Sequence, residues 1–310
     1  MIDFDTKTAA YITGTIGAIG LVVNVVVAYA IRRSPSFGYA FGTLCFSQTI
    51  ADIGMCATFV FLTAGLSLID PSWHSTYLGR RSGQLLIFFW EGSILTHFFS
   101  AVNRAIVINF PLRYNTIFSN QNITRYIVFA IWTAAAIQAS PYFIPSCSML
   151  FDPESFTYAY GEGICGDITE NYADKITSIS VVSAIGLLDI TSFMRLVKLR
   201  ATTVGADSSQ RHKRREIRFF FQACAQSSLL MSTLVFFFYL VDLNLEDPWY
   251  VYVTTTLIWM LVHCLDGVVV IVFNREVRQI ITGKIKGGRG ASQTHSQSNH
   301  HRTNNTAATP

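Results

Sequence analysis

The sequence predicts an all-α membrane protein: a bundle of seven transmembrane helices, N-terminus outside and C-terminus cytoplasmic. Three observations carry this. The 310 residues are 51% hydrophobic and only 14% charged, against about 25% charged in soluble domains. Seven apolar runs each reach the roughly 20 residues that a helix needs to cross a bilayer. The basic residues fall almost wholly on one side of those runs, which sets the orientation.

The runs follow in order. Thr8–Ile31 is stopped by Arg32, Arg33 and Pro35, and Phe37–Leu66 by Asp70 and Pro71. Then come Ser82–Asn109, Ile123–Ile144, Asp174–Leu199, Glu216–Val241 and Trp249–Phe273. The third and fifth carry ionisable residues. Residues 1–286 form the bundle, ending in a short cytoplasmic helix at about 274–285. Residues 287–310 turn to Ser, Gln, Asn, Thr and His, a composition that cannot bury a core and predicts a disordered tail. The N-terminal "MIDFDTKTAA" has no basic n-region and no small-residue cleavage site, so the first run is expected to stay as a span.

With the N-terminus outside, only Lys7, Arg80, Arg81 and Lys175 of the 23 Lys and Arg residues lie on the outer side. Twelve of the 19 acidic residues lie there instead. The loop between spans five and six, "ATTVGADSSQ", is short, and the longest outer loop spans about 145–172. The loop's Cys147 and Cys165 face an oxidising side, where a disulfide is expected and two free thiols are the alternative. Cys45, Cys56, Cys224 and Cys264 read as small buried hydrophobes. Asn122 and Asn304 head glycosylation sequons, but both fall on the inner side.

Ionisable groups within a span face the bundle interior or a wet cavity. Asn24, Asp52, Ser93 and Asp266 sit at similar depth on four helices, which points to a buried hydrogen-bonded cluster. Two carboxylates close together do not both ionise without a cation. Either one is protonated or a cation, sodium for instance, shares the site. Glu91 lies thirteen residues before Arg104, about 20 Å along the helix, in the outer half of span three. Trp90, Glu91, His97 and His263 are therefore candidate pocket residues. An interhelical hydrogen bond is the alternative for Glu91, and interior packing for the histidines. Arg104 and Arg195 lie near inner span ends, where either can snorkel to water. Asp189 either pairs with Arg195 or faces the interior.

No catalytic pattern is present: no GxSxG, no HExxH and no Gly-rich phosphate loop. No enzymatic activity is expected. The basic "RHKRRE" at Arg211–Glu216 belongs to the inner end of span six, where topology or anionic lipid explains it without nucleic acid.

Several stretches carry a family likeness. They are "SFG" at Ser36–Gly38, "NR" at Asn103–Arg104 with "FPLRYNTIFS" to Ser119, and "CSMLFDPESFTYAYGEGICG" around the two loop cysteines. "REIRFFFQACAQ" opens span six and "HCLDGVVVIVFN" closes span seven. Over about Gly14–Asn274 the chain resembles a G-protein-coupled receptor. More closely, it resembles the nematode serpentine receptors of class X, a group of chemoreceptors. The resemblance implies an external small-molecule or peptide ligand and a cytoplasmic heterotrimeric G protein. It implies a multi-pass plasma-membrane protein, in sensory cilia for a chemoreceptor. It makes Asn103, Arg104 and Asp266 the G-protein switch, and Asn24 and Asp52 the conserved-type polar positions of helices one and two. Trp132 matches the usual tryptophan of helix four. Asp52 and Ser93 match positions that help bind sodium, with no other cofactor implied.

The chain also departs from that pattern. No cysteine opens span three near Gly79, which leaves Cys147 and Cys165 as the outer pair. Spans six and seven lack the usual prolines, and Gly267 stands at the helix-seven position. Met260 stands near where opsins carry their retinal lysine, so a covalent retinal pigment is not implied. Arg104 has Asn103 beside it rather than an acid. A loose lock, or a partner on another helix, is expected. A channel or transporter using the same polar interior is the rival reading, and a receptor-like protein without signalling is the third.

Overall fold

In the computed structural model, residues 4–34, 37–118, 120–202 and 207–284 are described. Among them, seven helices are long and apolar enough to cross a membrane. These are Thr6–Arg33, Tyr39–Ile69, Tyr77–Asn109, Gln121–Phe143, Ile164–Lys198, Ile217–Leu243 and Pro248–Phe273, called here helices one to seven. Their starts are chemically marked. The Asp5 carboxylate accepts from the backbone N–H groups of Lys7 and Thr8 at 3.2 and 3.1 Å. Asn120 caps helix four, and Asp247 caps helix seven with Pro248 in its first turn. These short polar side chains satisfy N–H groups that the first helical turn leaves unpaired.

Helix three is central and packs on helices two, four and five. Helix one packs on two and seven, and helix six on five and seven. The outward faces carry Tyr11, Ile19, Val22, Phe129, Ile137, Leu187 and Ile190 in exposed positions. Lipid tails would cover such faces, and a helix there satisfies all its backbone hydrogen bonds within itself. The interior is apolar in bulk, with Met55, Phe59, Leu86, Ile87, Ile94, Tyr252 and Met260 fully buried.

One end of the bundle is covered by a hairpin of two antiparallel strands, β1 (Met149–Asp152) and β2 (Thr157–Tyr160). The register pairs Met149 with Tyr160 and Asp152 with Thr157. The Asp152 carboxylate shapes the turn, accepting from the backbone N–H groups of Glu154 and Ser155 at 3.0 and 3.2 Å. Phe156 takes a left-handed φ of 56° there. That costs a non-glycine residue about 1–3 kcal/mol, and full burial of its ring offsets it. The hairpin is pinned to the helices. Tyr158 and Thr63 share a hydroxyl hydrogen bond of 2.7 Å, and Thr256 Oγ1 donates to the Phe156 carbonyl at 2.9 Å. The Cys147–Cys165 disulfide ties the segment before β1 to the start of helix five.

Four helices contain a wide π turn in the half nearest the hairpin: Thr58–Ala64, Thr169–Ile176, Phe236–Leu240 and Val253–Leu257. Such turns are rare and gather at functional sites.

Helix five begins at Ile164, ten residues before the expected Asp174, because Gly163 starts a helical turn under the disulfide. The expected loop "ATTVGADSSQ" is mostly helix: one helix runs to Thr202 and the next starts at Asp207. Polar residues beyond the apolar run do not end a helix that water can solvate. After Asn274 the short helix Arg275–Ile281 packs Val277 and Ile280 against Val27, Ile31 and Phe37. The tail assigned to 287–310 lies outside the described residues.

Candidate functional site

Helix three carries Trp90, Glu91, Ser93, His97, Asn103 and Arg104, all buried. At each depth they meet polar groups from other helices, and three tiers result.

The first tier lies beneath the hairpin. Trp90 Nε1 donates to Ser178 Oγ at 2.9 Å, and Ser178 Oγ donates to Asp174 Oδ1 at 3.0 Å. The Tyr160 hydroxyl, from β2, donates to the other Asp174 oxygen. A narrow cavity of about 10 Å³ opens here, walled by Trp90, Asp174, Thr233, Phe237, Phe238 and Trp259. Glu91, next to Trp90, is 2% exposed, and its Oε1 has no hydrogen-bond partner.

The second tier is the cluster that the sequence points to, with three added members. His263 Nδ1 faces Asp52 Oδ1 at 2.8 Å. Gln48 Nε2 donates to Ser93 Oγ at 2.7 Å and to Asp52 Oδ1 at 3.3 Å. Asn24 Nδ2 donates to the carbonyls of Gly20 and His263, each at 3.0 Å. Asp266 Oδ2 lies 3.8 Å from His97 Nε2. Gly267 lets helix seven come this close to helix one, since a Cβ there would sit 2.4 Å from Asn24 Oδ1. The Trp90 ring meets His263 edge-on at 5.9 Å and joins the first tier to the second.

The third tier closes the far end. Arg104 Nη2 donates to Asp189 Oδ1 at 2.9 Å, and Ser227 Oγ donates to Asp189 Oδ2 at 2.8 Å. Helices three, five and six meet at that carboxylate. Asn274 Nδ2 donates to Gln222 Oε1 at 2.5 Å and ties the end of helix seven to helix six. Between the second and third tiers is a cavity of about 20 Å³, touched by Gln48, His97, Ser100, Arg104, Gln226 and Asp266. That is room for one water, with polar partners on several sides.

A family model described as the serpentine type 7TM GPCR chemoreceptor Srx matches residues 15–274. The chain belongs to this family. It is 27% identical to serpentine receptor class X 45 of Caenorhabditis elegans, over 85% of this chain and 77% of that protein. It is 26% identical to serpentine receptor class X-43 of the same organism, over 84% of this chain and 82% of that protein.

In this Srx receptor the sequence-derived candidates separate by depth. Trp90 walls the cavity under the hairpin, whereas Glu91, its neighbour in sequence and also buried, is not among the residues that line it. His97 and His263, candidates for the same pocket, belong to the carboxylate cluster of the second tier instead. For His97 the reason is distance: seven residues of helix separate it from Trp90, about 10 Å. Asp189 faces the interior and binds Arg104, while Arg195 is exposed. A separation of six residues puts Asp189 and Arg195 on different faces of one helix, where spacings of three or four would bring them together. The partner on another helix expected for Arg104 is therefore Asp189. Asn103 is buried, with its Nδ2 unpaired.

Gln48, Asp174, Ser178 and Ser227 were not singled out from sequence. Gln48 alone left a signal, since it lies one helical turn before Asp52 and shares its face. The cysteine pair is bonded, with Cα atoms 4.8 Å apart. Among the described residues no cluster of three or more His, Cys, Asp or Glu residues is arranged to hold a metal ion. The donor set between Asp52 and Ser93 does not fit sodium as arranged, because the Gln48 amide places an N–H donor between the two oxygens. His263 and Gln48 both meet the Asp52 carboxylate.

Proposed function

We propose that this chemoreceptor binds an external small molecule at the hairpin-covered end of the bundle and passes the event to a heterotrimeric G protein at the Arg104 end. The observation that carries this is the Arg104–Asp189–Ser227 junction. One buried carboxylate joins helices three, five and six at the end opposite the disulfide-clamped hairpin. A junction of three helices at one ion pair has two distinct arrangements, made and broken. A ligand biases such an equilibrium only by binding one arrangement more tightly than the other. The first tier is placed to do so, because Trp90 and Arg104 share helix three while Asp174 and Asp189 share helix five. The charge distribution supports the N-terminus and hairpin outside and the Arg104 end cytoplasmic. Membership of a chemoreceptor family supports a plasma-membrane site, with sensory cilia the natural place for a chemosensor.

The test is signalling in a heterologous cell, with reporter output compared for wild type, Arg104→Ala and Asp189→Asn. Arg104→Ala is expected to abolish agonist-dependent output at matched surface expression. Output that survives it, or ligand-gated current in cells lacking the G protein, would remove the switch from Arg104 and favour a channel.

A further inference from the structure

Helices five and six leave a cleft between them on the outward face of the bundle, beside the Arg104–Asp189 junction. Its volume is about 260 Å³. At the roughly 30 Å³ that a water takes in the liquid, that is room for about nine non-hydrogen atoms. The walls are apolar: Ile190 and Phe193 from helix five and Met231 from helix six. All three are exposed on the surface, where lipid tails would lie. Gly186 leaves the cleft its width, since the nearest atom to a Cβ built there is the Met231 methyl, at 3.4 Å. Deeper in, Asp189 and Ser227 line the cleft, with Ser228 and Cys224 beside them.

The polar side of the cleft has acceptors and almost no donors. Ser227 donates its one hydroxyl proton to Asp189 Oδ2 at 2.8 Å, and Ser228 donates its own to the Cys224 carbonyl at 2.8 Å. Oxygen lone pairs remain, and the Cys224 thiol is a weak donor. Hydrocarbon tails bring no O–H or N–H to those oxygens. An anionic head would meet them with more lone pairs. An ammonium would lie beside the Arg104 guanidinium, whose charge Asp189 already meets. We infer that the cleft is a lateral site for a neutral, membrane-dissolved alcohol. Its hydroxyl donates to the Ser227–Asp189 oxygens, and its apolar body lies among Ile190, Phe193 and Met231. Those oxygens are together only while the junction of helices three, five and six is made, so the occupant favours the made arrangement. The effect on signalling rests on the switch reading given above; the binding does not.

The test is photolabelling of the full chain in lipid nanodiscs, with adducts mapped by mass spectrometry. The probe is a hexanol carrying a diazirine on its chain, set against the isostere with a methyl group in place of the hydroxyl. Adducts on 186–193 and 224–231 are scored relative to those on the exposed Ile19 and Val22 of helix one, which corrects for how much of each probe enters the bilayer. The alcohol is expected to exceed its isostere in the cleft by about 2- to 10-fold, which is what one hydrogen bond supplies. Gly186→Leu fills the cleft and should remove that excess while Tm and far-ultraviolet circular dichroism stay near wild type. Should that variant fail to fold, the comparison of the two probes on the wild-type chain decides alone. Equal enrichment of both probes, adducts spread evenly over the outward faces, or an excess that persists in folded Gly186→Leu would overturn the site. Exclusion of both probes would also overturn it and leave the cleft to water or a second copy of the chain. Basal G-protein activation is read separately, in cells given the alcohol without irradiation. It should fall by about 2-fold or more in wild type, the effect of one added hydrogen bond, and stay unchanged in Gly186→Leu. Labelling as expected with no change in output would count against the Arg104–Asp189 switch and leave the alcohol site standing.

Discussion

Arg104 of helix three and Asp189 of helix five form a buried ion pair, Nη2 to Oδ1 at 2.9 Å, although 85 residues separate them. Asn103 stands beside Arg104 where an acid would have held it locally, so the restraint comes from another helix. Asp189→Asn keeps the shape and removes the charge. Breaking a buried pair from one side costs about 3–5 kcal/mol. Lower thermal stability and a several-fold rise in basal G-protein activation are expected together, measured in detergent and in cells. Basal output at the wild-type level in a well-expressed Asp189→Asn receptor would refute the restraint.

Asp52 and His263 are coupled across helices two and seven. His263→Phe removes the imidazole from the Asp52 carboxylate, a loss of about 1–3 kcal/mol for a buried group deprived of a partner. Combining it with Asp52→Asn should cost less than the two single changes added together. A double-mutant cycle on thermal stability reads this directly. Additive effects would mean that the contact contributes nothing. Exchange of sodium for potassium should leave wild-type stability unchanged, since the Gln48 amide lies between the Asp52 and Ser93 oxygens.

The hairpin depends on the Cys147–Cys165 bond, which closes a loop over a separation of 18 residues. Restraining a loop of that size stabilises by about 3 kcal/mol. The double change Cys147→Ser with Cys165→Ser should lower Tm and speed proteolysis of 148–162, while the seven helices keep their far-ultraviolet circular dichroism. Unchanged protease resistance would show that Tyr158 and Thr256 hold the hairpin without help.

His74 gives a pH dependence of known sign. It lies between helices two and three, buried, with Nε2 2.9 Å from Ser67 Oγ and its ring against Phe151 of β1. Burial lowers its pKa from 6.5 to about 4. Unfolding returns it to the ordinary value, so the unfolded chain binds more protons between those limits. Stability from this group is complete above about pH 6.5 and falls as pH drops toward 4. His74→Gln should flatten the melting profile within that window. A profile unchanged by the substitution would assign the slope to other groups.

The seven spans were legible because lipid demands contiguous apolar sequence, and that demand is local. The polar cluster was legible for the same reason: Asn24, Asp52 and Asp266 interrupt apolar helices at one depth. Their pairings were not, because Asp52 to His263 and Arg104 to Asp189 depend on how distant helices pack. Asp174 was hidden by its position. It stands where the sequence turns polar, and it reads as a boundary residue until the extra helix from Ile164 draws it inside. The hairpin was hidden because its strands are four residues each and lie within an acidic loop.

The four wide turns have a consequence for comparing receptors. Each lodges extra residues within a continuous helix, and one inserted residue rotates everything beyond it by about 100°. On helices two, five, six and seven, the side chains beyond the turn keep a different angular register from those below it. A relative lacking one of these turns would present its neighbouring side chain to the cavity at the same count from Asp52 or Asp266. Small insertions and deletions at 58–64, 169–176, 236–240 and 253–257 are thus a route by which a receptor lineage could change what it senses. The Arg104–Asp189 junction below would keep its alignment throughout.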